Sequence, residues 1–166
     1  LSEKSEEDKS NYTKAYDFTV YDESNNAYKL GSLTSSPKTI EAVINVPKSV
    51  DSRAGVVVGN YDGDKGKHIN LEIYSGGKVR LFFHTGSKKV VGTFSKDIRS
   101  DKPVHIAVTV QSKSATLYVN GVASQTIKLS SEYKGATKSF KIGGDNRPGN
   151  PQYIRDILLR TSLTPI

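Results

Sequence analysis

The chain has 166 residues, with 24 Lys+Arg against 17 Asp+Glu for a formal net charge of +7, and a mean hydropathy of −0.49. That length supports one domain with a real core, and no run approaches the roughly 18 apolar residues that a membrane-spanning helix needs. Cysteine is absent, which excludes a disulfide staple, a zinc–thiolate site and a thiol nucleophile and leaves an extracellular location open.

Residues 1–12, LSEKSEEDKSNY, are charged and lack apolar periodicity, and read as a tail or linker. The chain opens without an initiator methionine or a signal-peptide pattern, so it is expected to be an excised or processed part of a larger protein. Residues 13–166 read as one domain of short strands. Strands are expected at 15–21, 26–30, 38–46, 54–60, 68–75, 78–85, 88–95, 103–111, 115–119, 122–129, 138–143 and 152–161, and one helical turn is expected within 130–137. Turn chemistry separates them at Asn25-Asn26, Asp62-Gly63, Gly76-Gly77, Gly86-Ser87, Asn120-Gly121, Gly143-Gly144 and Pro148-Gly149. Short strands at this spacing, with no sustained 3.6-residue period, indicate an all-β, two-sheet antiparallel β-sandwich.

Strand parity sorts the side chains. In HINLEIYS (68–75) the core set is Ile69, Leu71 and Ile73, and the outward set is His68, Asn70, Glu72 and Tyr74. In KVRLFFHT (78–85) Val79, Leu81 and Phe83 face the core, leaving Arg80, Phe82 and His84. The Gly76-Gly77 turn makes these strands a hairpin. Tyr74 should therefore lie near Arg80 or Lys78, and Glu72 near Arg80 or Phe82. In PVHIAVTV (103–110) the outward set is His105, small Ala107 and Thr109. A face holding Asn70, Glu72, Tyr74, Arg80, Phe82, His84 and His105 has the chemistry of sugar recognition: rings cover the apolar side of a pyranose, and planar polar groups reach paired hydroxyls. The same residues also read as a solvated face with a Glu72–Arg80 cross-strand ion pair, or as a face covered by a neighbouring domain.

Two loops are further candidates. Asn60-Tyr61-Asp62-Gly63-Asp64 places Asp62 and Asp64 two apart around glycine, which can begin a calcium site or be turn chemistry alone. Gly144-Asp145-Asn146-Arg147 can line the rim of a site or be a turn.

Four segments resemble laminin-G-like domains of the concanavalin A-like lectin/glucanase superfamily, which also includes the pentraxin-like jelly rolls. These are TIEAVINV (39–46), PVHIAVTVQSKSATLYVNGV (103–122), KSFKIGGD (138–145) and IRDILLRTSLTP (154–165). They occur in the family's order from about residue 14 to residue 166. Val43 and Pro103 stand where the family often carries tryptophan. The resemblance implies a jelly-roll sandwich with one flatter or concave face, in modules that mostly bind carbohydrate or protein at cell surfaces. It also implies calcium in some members and glycoside hydrolysis in others. Retaining hydrolysis needs two carboxylates about 5 Å apart, which the enzymes of this fold carry as Glu-x-Asp-x-x-Glu. Here Glu41 and Glu72 each stand alone, there is no Gly-x-Ser-x-Gly elbow, and the three histidines lack zinc spacing.

The expected function is a non-catalytic carbohydrate-binding module of a larger secreted or surface protein, expected to be bacterial, at the cell exterior and with a glycan as its partner. Alternatives are a structural or protein-interaction domain packed on a neighbouring domain, and a module for acidic glycans. Nucleic acid is not favoured, because the lysines are scattered rather than interleaved with aromatics in a stripe.

Overall fold

The computed structural model describes residues 15–18, 28–31, 38–63, 66–136, 140–145 and 155–162. The strands are β1 (Ala15–Phe18), β2 (Tyr28–Gly31), β3 (Thr39–Asn45), β4 (Gly55–Gly59), β5 (Lys67–Tyr74), β6 (Lys78–Thr85), β7 (Lys89–Asp97), β8 (Val104–Gln111), β9 (Ser114–Val119), β10 (Val122–Lys128), β11 (Phe140–Ile142) and β12 (Arg155–Ser162). They form two six-stranded sheets, sheet I in the order β1-β12-β3-β8-β9-β10 and sheet II in the order β2-β11-β4-β5-β6-β7. The pairings are antiparallel. The expected two-sheet sandwich is the observed fold.

The alternation seen in the sequence builds the core. Ile40, Ala42 and Ile44 of β3, Ile106 and Val108 of β8, and Ala115 and Leu117 of β9 join Ile69, Leu71 and Ile73 of β5 and Val79, Leu81 and Phe83 of β6 in one buried cluster. Burying each of the Val, Leu, Ile and Phe side chains among them contributes about 1.5–3 kcal/mol relative to exposure. A bulge in β4 pairs Val56 with Glu72 and Val58 with Leu71. The extra residue lets both Val57 and Val58 enter the core.

The hairpin turns follow the glycine pattern. Asn120 (φ 50) and Gly121 (φ 80) both adopt the left-handed conformation that a two-residue turn demands. Between β5 and β6 the chain makes a short 3-10 turn at Ser75–Gly77. A Cβ at Gly77 would collide with Asp97 Oδ1 and Arg99 Cγ. The helical turn expected within 130–137 is not formed in its described part, residues 130–136, which has no helix. There, Leu129 and Ala136 are drawn into the core and the segment runs irregularly between them.

Three contacts secure the β7 margin of sheet II. The open edge strand β7 has its Ser95 N–H bonded to Gln125 Oε1 of β10 at 2.7 Å, which covers a donor that would otherwise template edge pairing. Opposite, Gly92 leaves no room: a Cβ there would lie 2.7 Å from Ile127 Cδ1 and 2.9 Å from Leu129 Cδ2. At the end of β7, Arg99 donates to Asp97 Oδ2 at 2.8 Å and to the Val50 carbonyl at 3.1 Å, and pairs with Asp51. It thereby ties the 46–53 loop to the sheet.

Gly92→Val is expected to cost about 1–3 kcal/mol by overpacking, read as a lower denaturant midpoint at unchanged slope. The hydrogen bonds from Arg99 hold the Asp97 carboxyl below its ordinary value of 3.8. A depressed carboxyl stabilises the fold above its unfolded pKa, and that contribution is lost as pH falls through the lower folded value. Thermal melts titrated downward from pH 5 should therefore show an acid-sensitive component near and below pH 3.8 that Arg99→Ala reduces.

Candidate functional site

The outward sides of β5 and β6 form a ladder whose register is read directly from the strand pairing. Tyr74 faces Lys78, Glu72 faces Arg80, Asn70 faces Phe82 and His68 faces His84. On the far side of β6, Arg80 faces Thr93, Phe82 faces Val91 and His84 faces Lys89. Six of the seven residues picked out in the sequence, Asn70, Glu72, Tyr74, Arg80, Phe82 and His84, thus share one surface of sheet II.

His105 does not share it. It lies on β8 of sheet I, where its Nε2 stands 3.4 Å from Glu41 Oε2. Its backbone is tied to the Asn120 turn by bonds of 3.0 and 2.8 Å. Parity correctly placed His105 away from the core, but a sandwich has two outer faces and parity does not choose between them. Ala107 is on that same other sheet, 4% exposed, and opens no space beside the ladder.

The centre of the ladder is roofed over. His68 and Asn70 are fully buried, Glu72 is 1% exposed and Phe82 5%. Loop residues supply the covering. Arg53, just before β4, donates from Nε to Glu72 Oε2 at 2.8 Å, and its Nη2 lies 2.6 Å from the same oxygen. Arg80 donates from Nε and Nη2 to Oε1 at 3.1 and 2.9 Å. The carboxylate is therefore held between two guanidiniums, the arrangement that a buried charge requires. Asn70 is equally committed. Its Oδ1 accepts the N–H of Asn60 at 3.2 Å and of Tyr61 at 3.3 Å, and its Nδ2 donates to buried Asp145 at 2.6 Å. Asn60 Oδ1 in turn accepts the Ile69 N–H at 2.8 Å. A Cβ at Gly59, the cross-strand neighbour of Asn70, would collide with this amide. The Tyr61 ring packs 4.4 Å from His68 and edge-on at 4.9 Å to Phe82.

Around this base lies an accessible rim. Tyr74 is 38% exposed, with the Arg80 guanidinium carbon 3.9 Å from its ring centre. Arg80 retains 23% of its side-chain exposure, and among the described residues its hydrogen bonds run from Nε and Nη2 to Glu72. His84 is half-buried, 5.3 Å from His68 between ring centres.

Arg53, Tyr61 and Asp145 escaped the face drawn from strand parity because they come from loops. The sequence signals present, the 60–64 polar loop and Gly144-Asp145, were legible as turns or rims but not as partners of Asn70. In the proposed calcium loop Asp62 is exposed and Asp64 lies outside the described residues. Among the described residues no group of three or more His, Asp or Glu side chains is arranged to hold a metal ion. Asn146 and Arg147 also lie outside the described residues.

The profile of the concanavalin A-like lectin/glucanases superfamily, in its laminin-G form, matches residues 18–155, and the chain belongs to this family. No curated protein matches the chain in sequence. Among solved structures, the CBM40 module of the Ruminococcus gnavus IT-sialidase, bound to α2,3-sialyllactose, is 15% identical with a TM-score of 0.59, covering 93% of this chain and 94% of that one. Domain 4 of an extracellular arabinanase from Geobacillus stearothermophilus, in complex with arabinotriose, is 14% identical with a TM-score of 0.56, over 93% and 85%. The mouse laminin α1 chain, domains LG4-5, is 12% identical with a TM-score of 0.63, over 89% of this chain and 41% of that one. These likenesses are of fold. Among the described residues no helix is long and apolar enough to cross a membrane.

Because Phe82 is roofed by Tyr61 rather than open to solvent, Phe82→Ala is expected to lower stability by about 3 kcal/mol or more through cavity formation. A chemical denaturation midpoint well below that of the parent chain is the expected reading. An unchanged midpoint would show that Tyr61 does not cover the ring.

Proposed function

We propose that the chain is a non-catalytic carbohydrate-binding module of a larger secreted or cell-surface protein, and that the rim of the sheet II outer face receives the glycan. The observation that carries this reading is the Tyr74–Arg80–Glu72 unit. An exposed aromatic ring stands beside a guanidinium whose position is locked by a buried carboxylate and which keeps 23% of its side-chain exposure. Sugar recognition needs these two elements together, an apolar plate for the ring carbons and fixed planar donors for the hydroxyls. Holding Arg80 in advance of binding reduces the ordering cost of association. The fold supports the reading, since proteins of this architecture include modules solved with sialyllactose and with arabinotriose.

Glu72 is suited to positioning rather than to proton transfer, because a guanidinium occupies each of its oxygens. Glu41 sits on the outer face of the other sheet and cannot act with it across one glycosidic bond. A shallow face gives weak single-site binding, so tight adhesion would come from several modules in the parent protein.

The test is a glycan-array screen of the chain, with and without calcium, followed by titration of each hit against Tyr74→Ala. Loss of the plate should weaken binding by about 1 kcal/mol, roughly fivefold in Kd, with the melting temperature preserved because Tyr74 is exposed. Calcium-dependent hits would assign a role to the Asp62 loop. Silence on every glycan would replace this reading by that of a domain packing on a neighbour.

A further inference from the structure

The roof over the ladder covers one half of the outer face of sheet II and leaves the other half open. On β5 the outward residues His68, Asn70 and Glu72 are at most 1% exposed. On β7, two strands away, the outward residues Lys89, Val91 and Thr93 are exposed. β6 runs along the boundary. Its Phe82 is buried against the Tyr61 ring, while Arg80 and His84 are half-buried. Arg53, bonded to Glu72, and Tyr61, packed on His68 and Phe82, thus stand as a wall beside an open strip that follows β6 and β7.

Strand register divides this strip into four rows. Tyr74 stands with Lys78, Arg80 with Thr93, Phe82 with Val91, and His84 with Lys89. The first and third rows carry the apolar surface, through Tyr74 at 38% and Val91 at 46% exposure. The second and fourth carry guanidinium, hydroxyl, imidazole and ammonium groups. Among the described residues the exposed large hydrophobic side chains are Tyr74, Val91 and Val122, so two of the three lie on this strip. Rows two residues apart are separated by about 7 Å, and the strip from Lys78 to His84 is about 20 Å long. The members at its two ends lean inward along it. The Arg80 guanidinium carbon lies 3.9 Å from the centre of the Tyr74 ring, and Lys89 Nζ lies 5.1 Å from the centre of the Phe82 ring.

We propose that this strip takes a linear oligosaccharide lying along β6, several sugars long, rather than a single terminal sugar. The proposal rests on the carbohydrate-binding reading above and names its ligand class. A sugar ring stacked on Tyr74 meets Arg80 but leaves Val91 and the His84–Lys89 row unused. A linear glycan presents ring faces and hydroxyl edges in turn, so it meets the apolar and donor rows one after another. Because strand positions hold these groups in place, each added sugar gains contacts without further ordering of the protein.

The test is calorimetric titration of the full chain with linear arabinan, xylan, galactan and mannan fragments, each as the monosaccharide, disaccharide and hexasaccharide. In a series that binds, the hexasaccharide should bind on the order of tenfold more tightly than the disaccharide. Val91→Thr keeps a β-branched strand former but removes the apolar contact, and should cut that gain at unchanged melting temperature. Tyr74→Ala should weaken binding at every length. Equal affinity for disaccharide and hexasaccharide, or a Val91→Thr variant that keeps the full gain, would overturn the strip while leaving the carbohydrate-binding reading intact. Array hits that none of the linear series competes for would do the same. Silence on every fragment here and on every array glycan would remove both readings.

Discussion

A buried carboxylate between two guanidiniums organises the outer side of sheet II. Glu72 points away from the apolar core yet is almost fully enclosed. An enclosed charge is tolerated only when oppositely charged, hydrogen-bonding groups surround it. Its partners come from two places, the loop before β4 and the neighbouring strand β6. The unit therefore ties a loop to the sheet and also supports the β5–β6 register. A one-residue slip would turn Arg80 into the core and bring an apolar side chain opposite Glu72. Asn70 applies the same constraint one step along the strand, joining the 60–61 loop and Asp145 to the sheet through both ends of one amide.

This base gives the surface a layered character. Glu72 and Asn70 at its centre are used internally, and Glu72 fixes the position of Arg80 at its margin. Arg80 belongs to both layers: one edge is bound to Glu72, while its guanidinium carbon lies over the Tyr74 ring. A shallow sheet face can hold a ligand with useful selectivity only if its few contact groups are already in place. Family membership settles the architecture and not the ligand. The chemistry of the rim is therefore the basis for the functional reading, and the likeness to modules that bind sialyllactose or arabinotriose supports it.

Much of this was legible in advance, and for identifiable reasons. The alternation in HINLEIYS and KVRLFFHT assigned Ile69, Leu71, Ile73, Val79, Leu81 and Phe83 to the core, because the two-residue period of a strand is a local property. The Gly76-Gly77 turn narrowed the partner of Glu72 to Arg80 or Phe82, since a short hairpin restricts its register, and the structure pairs it with Arg80. Phe82 shows the limit. Its parity is outward, but an outward side chain is not always an accessible one, and the Tyr61 ring covers it.

The amino-acid sequence by itself determined the strands, their turns, which side of each strand is apolar, and the sandwich class, because these depend on residues within a few positions of one another. Tertiary structure alone decided that His105 lies on the opposite sheet from His84, that Arg53 reaches Glu72 across 19 residues, and that Asp145 reaches Asn70 across 75. Those outcomes depend on how loops close over a sheet and which sheet each strand joins. They are set by long-range packing and by the need to pair each buried polar group, and no local period in the chain records either.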